Sequence, residues 1–456
     1  MKTWSPHYYP YPSSQPKARK KPLRLSPPAV LFIGFCGLIA LGTILLLLPI
    51  AHTQDIKVMQ ALFTATSAVT VTGLAVLSTP NDFTTFGHLV IASLIQIGGL
   101  GFMTITVVVL RGMGQQMDIS KQLIAKESFG IARFDQLVDT AKCVLVYALI
   151  IESIGFTILL AHWYQTLPLG DAIMQSFFYT ISAFNNAGFA LHDDSLTSFR
   201  GDWVVNLVIS GLFVIGGLGF VVLMDVVKRR RWSRFGSATK LVLIATAVLN
   251  VLAFSLFWLF EANNPETLGN LPLSEQVITA WMQAVTPRTA GFNSIDFALV
   301  NDESTVLTIW LMIIGGGSMS TASGLKITTV VVLLMATYAY LRRRDQVAIG
   351  HRQISPETVF KALSLTVVYF FTVMLATLIL TITEQANLTD ITFEAVSALG
   401  TVGLSRGITG SLSEPGEAVI IFLMLIGRLG PLTFLYLIAR PKRENLKYAK
   451  AEIQVG

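Results

Sequence analysis

One local pattern recurs four times along the 456 residues: a short amphipathic segment runs into a glycine-bearing turn. The turns are Thr70-Val71-Thr72-Gly73-Leu74, Asn186-Ala187-Gly188-Phe189, Thr289-Ala290-Gly291-Phe292 and Thr401-Val402-Gly403-Leu404. Their glycines lie 115, 103 and 112 residues apart. A long period with the same local order implies a fourfold internal repeat. One chain therefore carries four equivalent quarters of whatever the turns build.

The medium follows from composition. Hydrophobic residues make up 53% of the chain and charged residues 13%, about half the charged share of a soluble domain. This reads as a polytopic membrane protein. The net charge of +6 is placed by topology rather than by nucleic acid, since 27 of the 33 lysines and arginines fall in residues 1–28, 111–142, 228–240, 342–361 and 440–450. The stretches between carry acids such as Asp55, Asp193, Asp194, Asp302 and Glu414. That alternation predicts cytoplasmic linkers and two cytoplasmic termini. No nucleic-acid partner is expected. Cys36 and Cys143 lie in apolar runs, so neither a disulfide framework nor a resident metal is expected.

Each repeat has three parts. An apolar helix of spanning length comes first, at 29–50, 141–164, 240–260 and 358–382. A segment too short to span follows, at 56–69, 171–184, 274–287 and 388–400, and leads into the turn. These read as re-entrant helices. A second long apolar segment completes the unit, at 84–110, 203–227, 304–341 and 416–439. Two spans and a re-entrant loop return the chain to the side it left, so four repeats predict eight spans. Each third segment holds a small-residue patch, in turn Gly98-Gly99-Leu100-Gly101-Phe102, Gly216-Gly217-Leu218-Gly219-Phe220, Gly315-Gly316-Gly317-Ser318 and Gly427-Arg428-Leu429-Gly430-Pro431. Close helix packing accounts for such patches.

The repeated turn resembles a potassium-channel pore loop, whose signature is TVGYG. Such a loop replaces a cation's water shell with backbone carbonyls, and glycine reaches the backbone angles this requires. The short helix before it points its partly negative C-terminal end at the ion, which favours a cation. The candidate filter is Val71, Thr72, Gly73, Asn186, Ala187, Gly188, Thr289, Ala290, Gly291, Thr401, Val402 and Gly403. Arg288 and Arg406 lie close to it, and both are expected to turn behind the loop and bond to it or to an acid such as Glu394.

The third repeat's last segment is long enough to predict a break at Gly315, Gly316, Gly317, Ser318, Met319, Ser320, Thr321, Ala322, Ser323, Gly324, Leu325 and Lys326. Irregular backbone at membrane depth has to be buried in protein or line a wet cavity. The stretch reads as a mobile gate below the third turn, or as a passive kink. It is not a phosphate-binding P-loop, because Leu325 separates Gly324 from Lys326 and Ile327 follows. Arg428 within the last span needs a partner. It is expected to reach the 315–326 loop, the alternative being a lone carbonyl elsewhere. Glu152 reads as a hydrogen-bonded structural acid.

On these residues the chain resembles the Trk/Ktr/HKT superfamily of potassium transporters over residues 29–445, and within it the B-type membrane subunit of the Ktr branch. The resemblance implies an all-α polytopic fold of eight transmembrane helices and four re-entrant pore helices around a central pseudo-fourfold pore. It divides the chain into an N-terminal tail (1–28), repeat 1 (29–110), a linker (111–140), repeat 2 (141–227), a linker (228–239), repeat 3 (240–341), a linker (342–357), repeat 4 (358–439) and a C-terminal tail (440–456). Potassium is the implied cargo, favoured by Gly73, with sodium the second candidate. No cofactor is expected on the chain itself. The implied partners are a second copy and a cytoplasmic ring of nucleotide-binding regulatory subunits, at the bacterial plasma membrane, with uptake often enhanced by sodium. One departure is Ala322-Ser323, where the family's loop carries glycines; this stiffens the loop. A coupled carrier with paired broken helices fits less well, since only one helix reads as broken. An intramembrane enzyme fits less well still, since His162 faces no acid pair or second histidine.

Overall fold

The computed structural model describes residues 27–101, 104, 137–349, 352–431 and 434. Most of the expected tails and of the 111–140 linker, together with Phe102, Leu432 and Thr433, lie outside the described residues.

Fourteen helices matter here: α1 (Pro27–Leu46), α2 (Val58–Thr70), α3 (Thr85–Leu100), α4 (Leu137–Trp163), α5 (Leu169–Phe184), α6 (Trp203–Leu218), α7 (Phe220–Arg229), α8 (Ser237–Glu261), α9 (Leu273–Val285), α10 (Asp302–Ile313), α11 (Ile327–Leu341), α12 (Pro356–Thr383), α13 (Leu388–Gly400) and α14 (Glu414–Leu429). A two-residue antiparallel pair, β1 (Ala348–Ile349) with β2 (Arg352–Gln353), lies between α11 and α12. Several starts are legible as caps. The Asp202 carboxylate accepts from the Val204 and Val205 amides at 2.9 and 3.1 Å ahead of α6, and Ser355 with Pro356 opens α12.

The packing is inside-out relative to a soluble protein. The short helices α2, α5, α9 and α13 are the most buried, although they carry polar residues such as Thr64, Ser67, Ser182, Thr279, Gln283, Glu394 and Ser397. The long helices α1, α4, α8 and α12 leave Ile44, Leu149, Leu259, Phe371 and Ile382 exposed at 62%, 67%, 69%, 68% and 79%. Only lipid solvates such a surface at no cost. Among the described residues four helices are long and apolar enough to cross a membrane alone, or five if α6 and α7 count as one.

The third part of each repeat departs from the expectation of three unbroken spans and one broken one. α3, α6 and α14 all stop at a positive-φ glycine, Gly101 (85°), Gly219 (100°) and Gly430 (86°). At Gly219 the chain resumes as α7 after a bend of 95°. The small-residue patch has two physical jobs. Its first glycine admits a close approach: a methyl on Gly98, Gly216 or Gly427 would lie 2.0, 2.1 or 2.2 Å from the carbonyl oxygen of Val69, Phe184 or Leu399. Those three are the residues four before the turn glycines. Its last glycine ends the helix.

Candidate functional site

Each short helix ends in a backbone reversal that the sequence pattern only half announced. Gly73, Gly188, Gly291 and Gly403 have φ of 92°, 70°, 78° and 90°. Two residues earlier, Val71, Asn186, Thr289 and Thr401 are also left-handed, at 58°, 60°, 72° and 49°. Three of these are β-branched, which propensity argues against. The strain is held by hydrogen bonds. The Thr72, Ala187 and Val402 amides each donate at 2.8 Å to the carbonyl oxygen of Ser67, Ser182 or Ser397, and the Ala290 amide donates to the Thr286 carbonyl at 2.9 Å. The same four hydroxyl residues bind the turn from behind: Ser67 and Ser397 accept from the amides of Gly73 and Gly403 at 3.0 and 3.2 Å, while Ser182 and Thr286 donate to the carbonyls of Phe189 and Phe292 at 2.7 and 2.6 Å. Sequence reasoning missed these four, although a Ser or Thr five or six residues before every turn glycine was there to be read.

The turns face one another in a closed cycle that follows chain order. A methyl on Gly73 would lie 2.3 Å from the Ala187 carbonyl oxygen, one on Gly188 3.0 Å from that of Ala290, one on Gly291 2.4 Å from that of Val402, and one on Gly403 2.1 Å from that of Thr72. The residue before each turn glycine thus sets its carbonyl oxygen against the glycine of the preceding turn, the first turn's Thr72 closing the cycle on Gly403, and no side chain fits at the four positions. The amides are turned back onto the short helices, which leaves carbonyl oxygens as the polar groups at the centre.

A cavity of about 350 Å3 opens on one side of this ring and is lined by all four glycines with Ser78, His192, Asp193 and Asn293 among others. Asp193 accepts from Ser78 Oγ and Asn81 Nδ2, both at 2.5 Å, and so ties the second repeat to the first. His192, in the connection between α5 and α6, has Nδ1 2.9 Å from the Tyr179 hydroxyl. Burial lowers its pKa, against the opposing pull of Asp194 and Asp193. Tyr179, Gln283 and Glu394 sit three residues before Ser182, Thr286 and Ser397, and each reaches the segment that follows its turn.

Neither flanking arginine lines the cavity; Arg406 meets an acid, though not Glu394, and Arg288 meets a neutral side chain. Arg406 pairs with Asp390 at 2.7 Å and also donates to the Phe297 carbonyl at 2.9 Å and the Thr305 hydroxyl at 2.7 Å. Glu394 is occupied instead by Ser405 and Thr409, at 2.8 and 2.5 Å. Among the described residues Arg288 bonds to neither loop nor acid; its Nη1 donates to Asn250 Oδ1 on α8 at 2.9 Å.

On the side of the ring where α3, α6 and α14 stop, residues 314–326 form a pinched loop. The Gly315 amide donates to the Leu325 carbonyl at 2.9 Å, and the Ile327 amide to that of Gly316 at 3.1 Å. Between these ties the loop leans on the second repeat's helix break: the Gly317 amide donates to the Gly217 carbonyl at 2.7 Å, and the Phe220 amide to that of Met319 at 2.9 Å. Ser320 Oγ donates to the Gly317 carbonyl at 2.7 Å, Ser318 Oγ meets Thr328 Oγ1 at 3.2 Å, Ser323 is buried, and Gly324 turns with φ of 68°. Lys326 Nζ folds back on the Ala322 carbonyl at 2.6 Å. Thr321 is the junction. Its hydroxyl donates to Asn186 Oδ1 at 2.7 Å, and its carbonyl accepts from Arg428 Nη1. Arg428 Nη2 donates to the carbonyls of Gly98 and Gly99, at the end of α3. One hydrogen-bonded chain thus runs from the second repeat through the third and fourth to the first.

Glu152, on α4, has partners that sequence alone did not supply. Gln96 Nε2 on α3 donates to both of its oxygens at 2.9 and 3.0 Å, and Asn185 Nδ2 donates to Gln96 Oε1 at 2.6 Å. The carboxylate therefore joins two repeats immediately beside the second turn.

The family model described as "TrkH: Cation transport protein" matches residues 12–448. The chain is 44% identical to the Ktr system potassium uptake protein B of Bacillus subtilis, over 95% of this chain and 98% of that protein. It is 36% identical to the potassium/sodium uptake protein NtpJ of Enterococcus hirae, over 95% and 98%. Its fold matches the crystal structure of the potassium transporter TrkH from Vibrio parahaemolyticus with a TM-score of 0.74, at 20% identity, covering 93% of this chain and 86% of that one. The chain belongs to the TrkH family of cation transport proteins, and it is a membrane transporter rather than an enzyme.

Proposed function

We propose that this chain is the membrane subunit of a potassium uptake system, with the four turns as its selectivity filter and the 314–326 loop as its gate. The observation that carries the reading is the cycle of close approaches between the Thr72, Ala187, Ala290 and Val402 carbonyl oxygens and the glycine of the preceding turn, Gly403, Gly73, Gly188 and Gly291 in that order. Carbonyl oxygens gathered at the C-terminal ends of four short helices stabilise a dehydrated cation and repel an anion. The cavity beyond the glycines is the outer antechamber, and the loop with Arg428 closes the inner side. Potassium is the cargo, with sodium the weaker competitor or coupling ion. The eight crossings, the cytoplasmic termini, the plasma-membrane location, the pairing with a second copy and docking on a nucleotide-binding ring complete the proposal.

The experiment is ion flux into liposomes holding the purified chain, driven by voltage. Potassium flux with little sodium flux is expected, and deleting residues 317–323 is expected to raise it. A folded protein that passes neither ion, with or without the loop, would reject the pore.

A further inference from the structure

The fourfold repeat supplies its own internal comparison. Val71, Asn186, Thr289 and Thr401 occupy the same left-handed position, two residues before a turn glycine, and all four are buried. The Val71 side chain has no polar group, and the Thr289 and Thr401 hydroxyls have no hydrogen-bond partner among the described residues. Asn186 alone carries a group that leaves the turn. Its Oδ1 accepts from Thr321, 135 residues away on the loop, at 2.7 Å. Its Nδ2 has no partner among the described residues, so Thr321 alone orients the carboxamide. Asparagine also tolerates the left-handed region better than the β-branched residues used elsewhere; that accounts for the residue type at this backbone position, but not for the bond its side chain accepts from the loop.

We propose that Asn186 couples the gate loop to the filter, so that the position of the loop sets the ion discrimination of the second quarter. This rests on the gate and filter reading above. The Asn186 backbone leads directly into Ala187, whose carbonyl oxygen faces Gly73 in the ring. Thr321 is held from the other side by Arg428 through its carbonyl, so displacing the loop breaks the Arg428 and Asn186 contacts together. With the loop in place, the Asn186 side chain pins the turn. With the loop displaced, the Ala187 carbonyl is free to move and discrimination falls. Among the described residues the first, third and fourth quarters have no such tie at this position.

A double-mutant cycle on the potassium-to-sodium flux ratio tests this in the full-length protein reconstituted in liposomes. Thr321→Val removes the hydroxyl while keeping the loop length and the carbonyl that Arg428 holds. Asn186→Gly removes the carboxamide while suiting the backbone. Each is expected to lower the ratio at least about two-fold, and the double variant no further, since residues in direct contact are non-additive. With residues 317–323 deleted, Asn186→Gly is expected to leave the ratio unchanged. Independent, multiplying effects of the two substitutions would overturn the coupling, as would an Asn186→Gly effect of the same size without the loop. Total flux is read separately. If deleting the loop leaves flux unchanged while the cycle is non-additive, the gate reading falls and the coupling stands.

Discussion

Arg428 and Thr321, 107 residues apart and in different repeats, meet where the third segments of the repeats end, the guanidinium donating to the threonine carbonyl. The other arm of the same guanidinium holds the end of α3 through Gly98 and Gly99. A hydrogen bond from a charged donor contributes about 1.5–3 kcal/mol, and the charge itself costs about 2.5–3.5 kcal/mol at membrane depth when it lacks partners. Arg428→Gln removes both the fork and the charge. Basal potassium flux without a regulatory partner is expected to rise about tenfold or more, because losing one such bond shifts the loop equilibrium by that much. Arg428→Lys keeps the charge but reaches fewer carbonyls, so its flux is expected to fall between the two. Tracer uptake into liposomes decides it; wild-type flux in folded Arg428→Gln protein would show that the guanidinium does not hold the loop.

At the ring, the geometry makes the glycines unequal to any other residue. Gly73→Ser puts a β-carbon 2.3 Å from the Ala187 carbonyl oxygen and 3.1 Å from the Gly188 Cα, so that carbonyl has to swing out of its place in the ring. Potassium flux is expected to fall several-fold and the relative sodium flux to rise, with a stability loss of more than about 1 kcal/mol from a side chain at φ of 92°. Gly403→Ala, 2.1 Å from the Thr72 carbonyl oxygen, is expected to act in the same direction. Unchanged selectivity in both variants would remove these glycines from the ion path.

The equivalence of the repeats was legible because Gly73, Gly188, Gly291 and Gly403 recur in one local context, and the short helices because they are too short to span. Side-chain pairing across repeats was not. Asp390 and Glu394 lie one helical turn apart on α13, so chain spacing cannot say which meets Arg406; the tertiary path of the Ser405–Thr409 segment decides it by giving Glu394 two hydroxyls. Left-handed Val71, Thr289 and Thr401 were hidden for the opposite reason, since local propensity disfavours them and only the hydrogen bonds back to α2, α9 and α13 override it. Close packing is all that the sequence of the patches Gly98–Gly101 and Gly216–Gly219 announces. That one motif both admits a neighbour and ends its helix became visible only from the positive φ of Gly101 and Gly219.

In the proposed pore, His192 is expected to make the cavity beside the glycines pH-sensitive. It lines the same cavity as the four glycines, and a proton on it adds positive charge at the entrance of the proposed pore. Burial lowers its pKa from the usual 6.5, while Asp194 and Asp193 pull the other way. Flux is therefore expected to hold as the outer solution falls toward pH 6.5 and to decline below it, most steeply at low ionic strength, where the added charge is least screened. His192→Gln is expected to flatten the decline, as measured by uptake at fixed inner pH; a profile that this substitution leaves unchanged would assign the decline to another group.

Glu152 tests whether a carboxylate remote from the ring supports it. Its oxygens accept both bonds from Gln96 Nε2, and Gln96 Oε1 accepts from Asn185, which precedes the left-handed Asn186. Glu152→Ala leaves the Gln96 amide unpaired in an apolar setting, an omission worth about 1–3 kcal/mol, and frees Asn185 to turn. Glu152→Gln keeps an acceptor of the same shape without the charge. Unfolding in detergent is expected to show a loss of about 1–3 kcal/mol for alanine and less than about 1 kcal/mol for glutamine, with potassium selectivity following the same order. If the carboxylate itself were an ion ligand, the glutamine variant would lose flux while keeping its stability. The two substitutions therefore separate a positioning residue from a binding one by whether stability and selectivity move together.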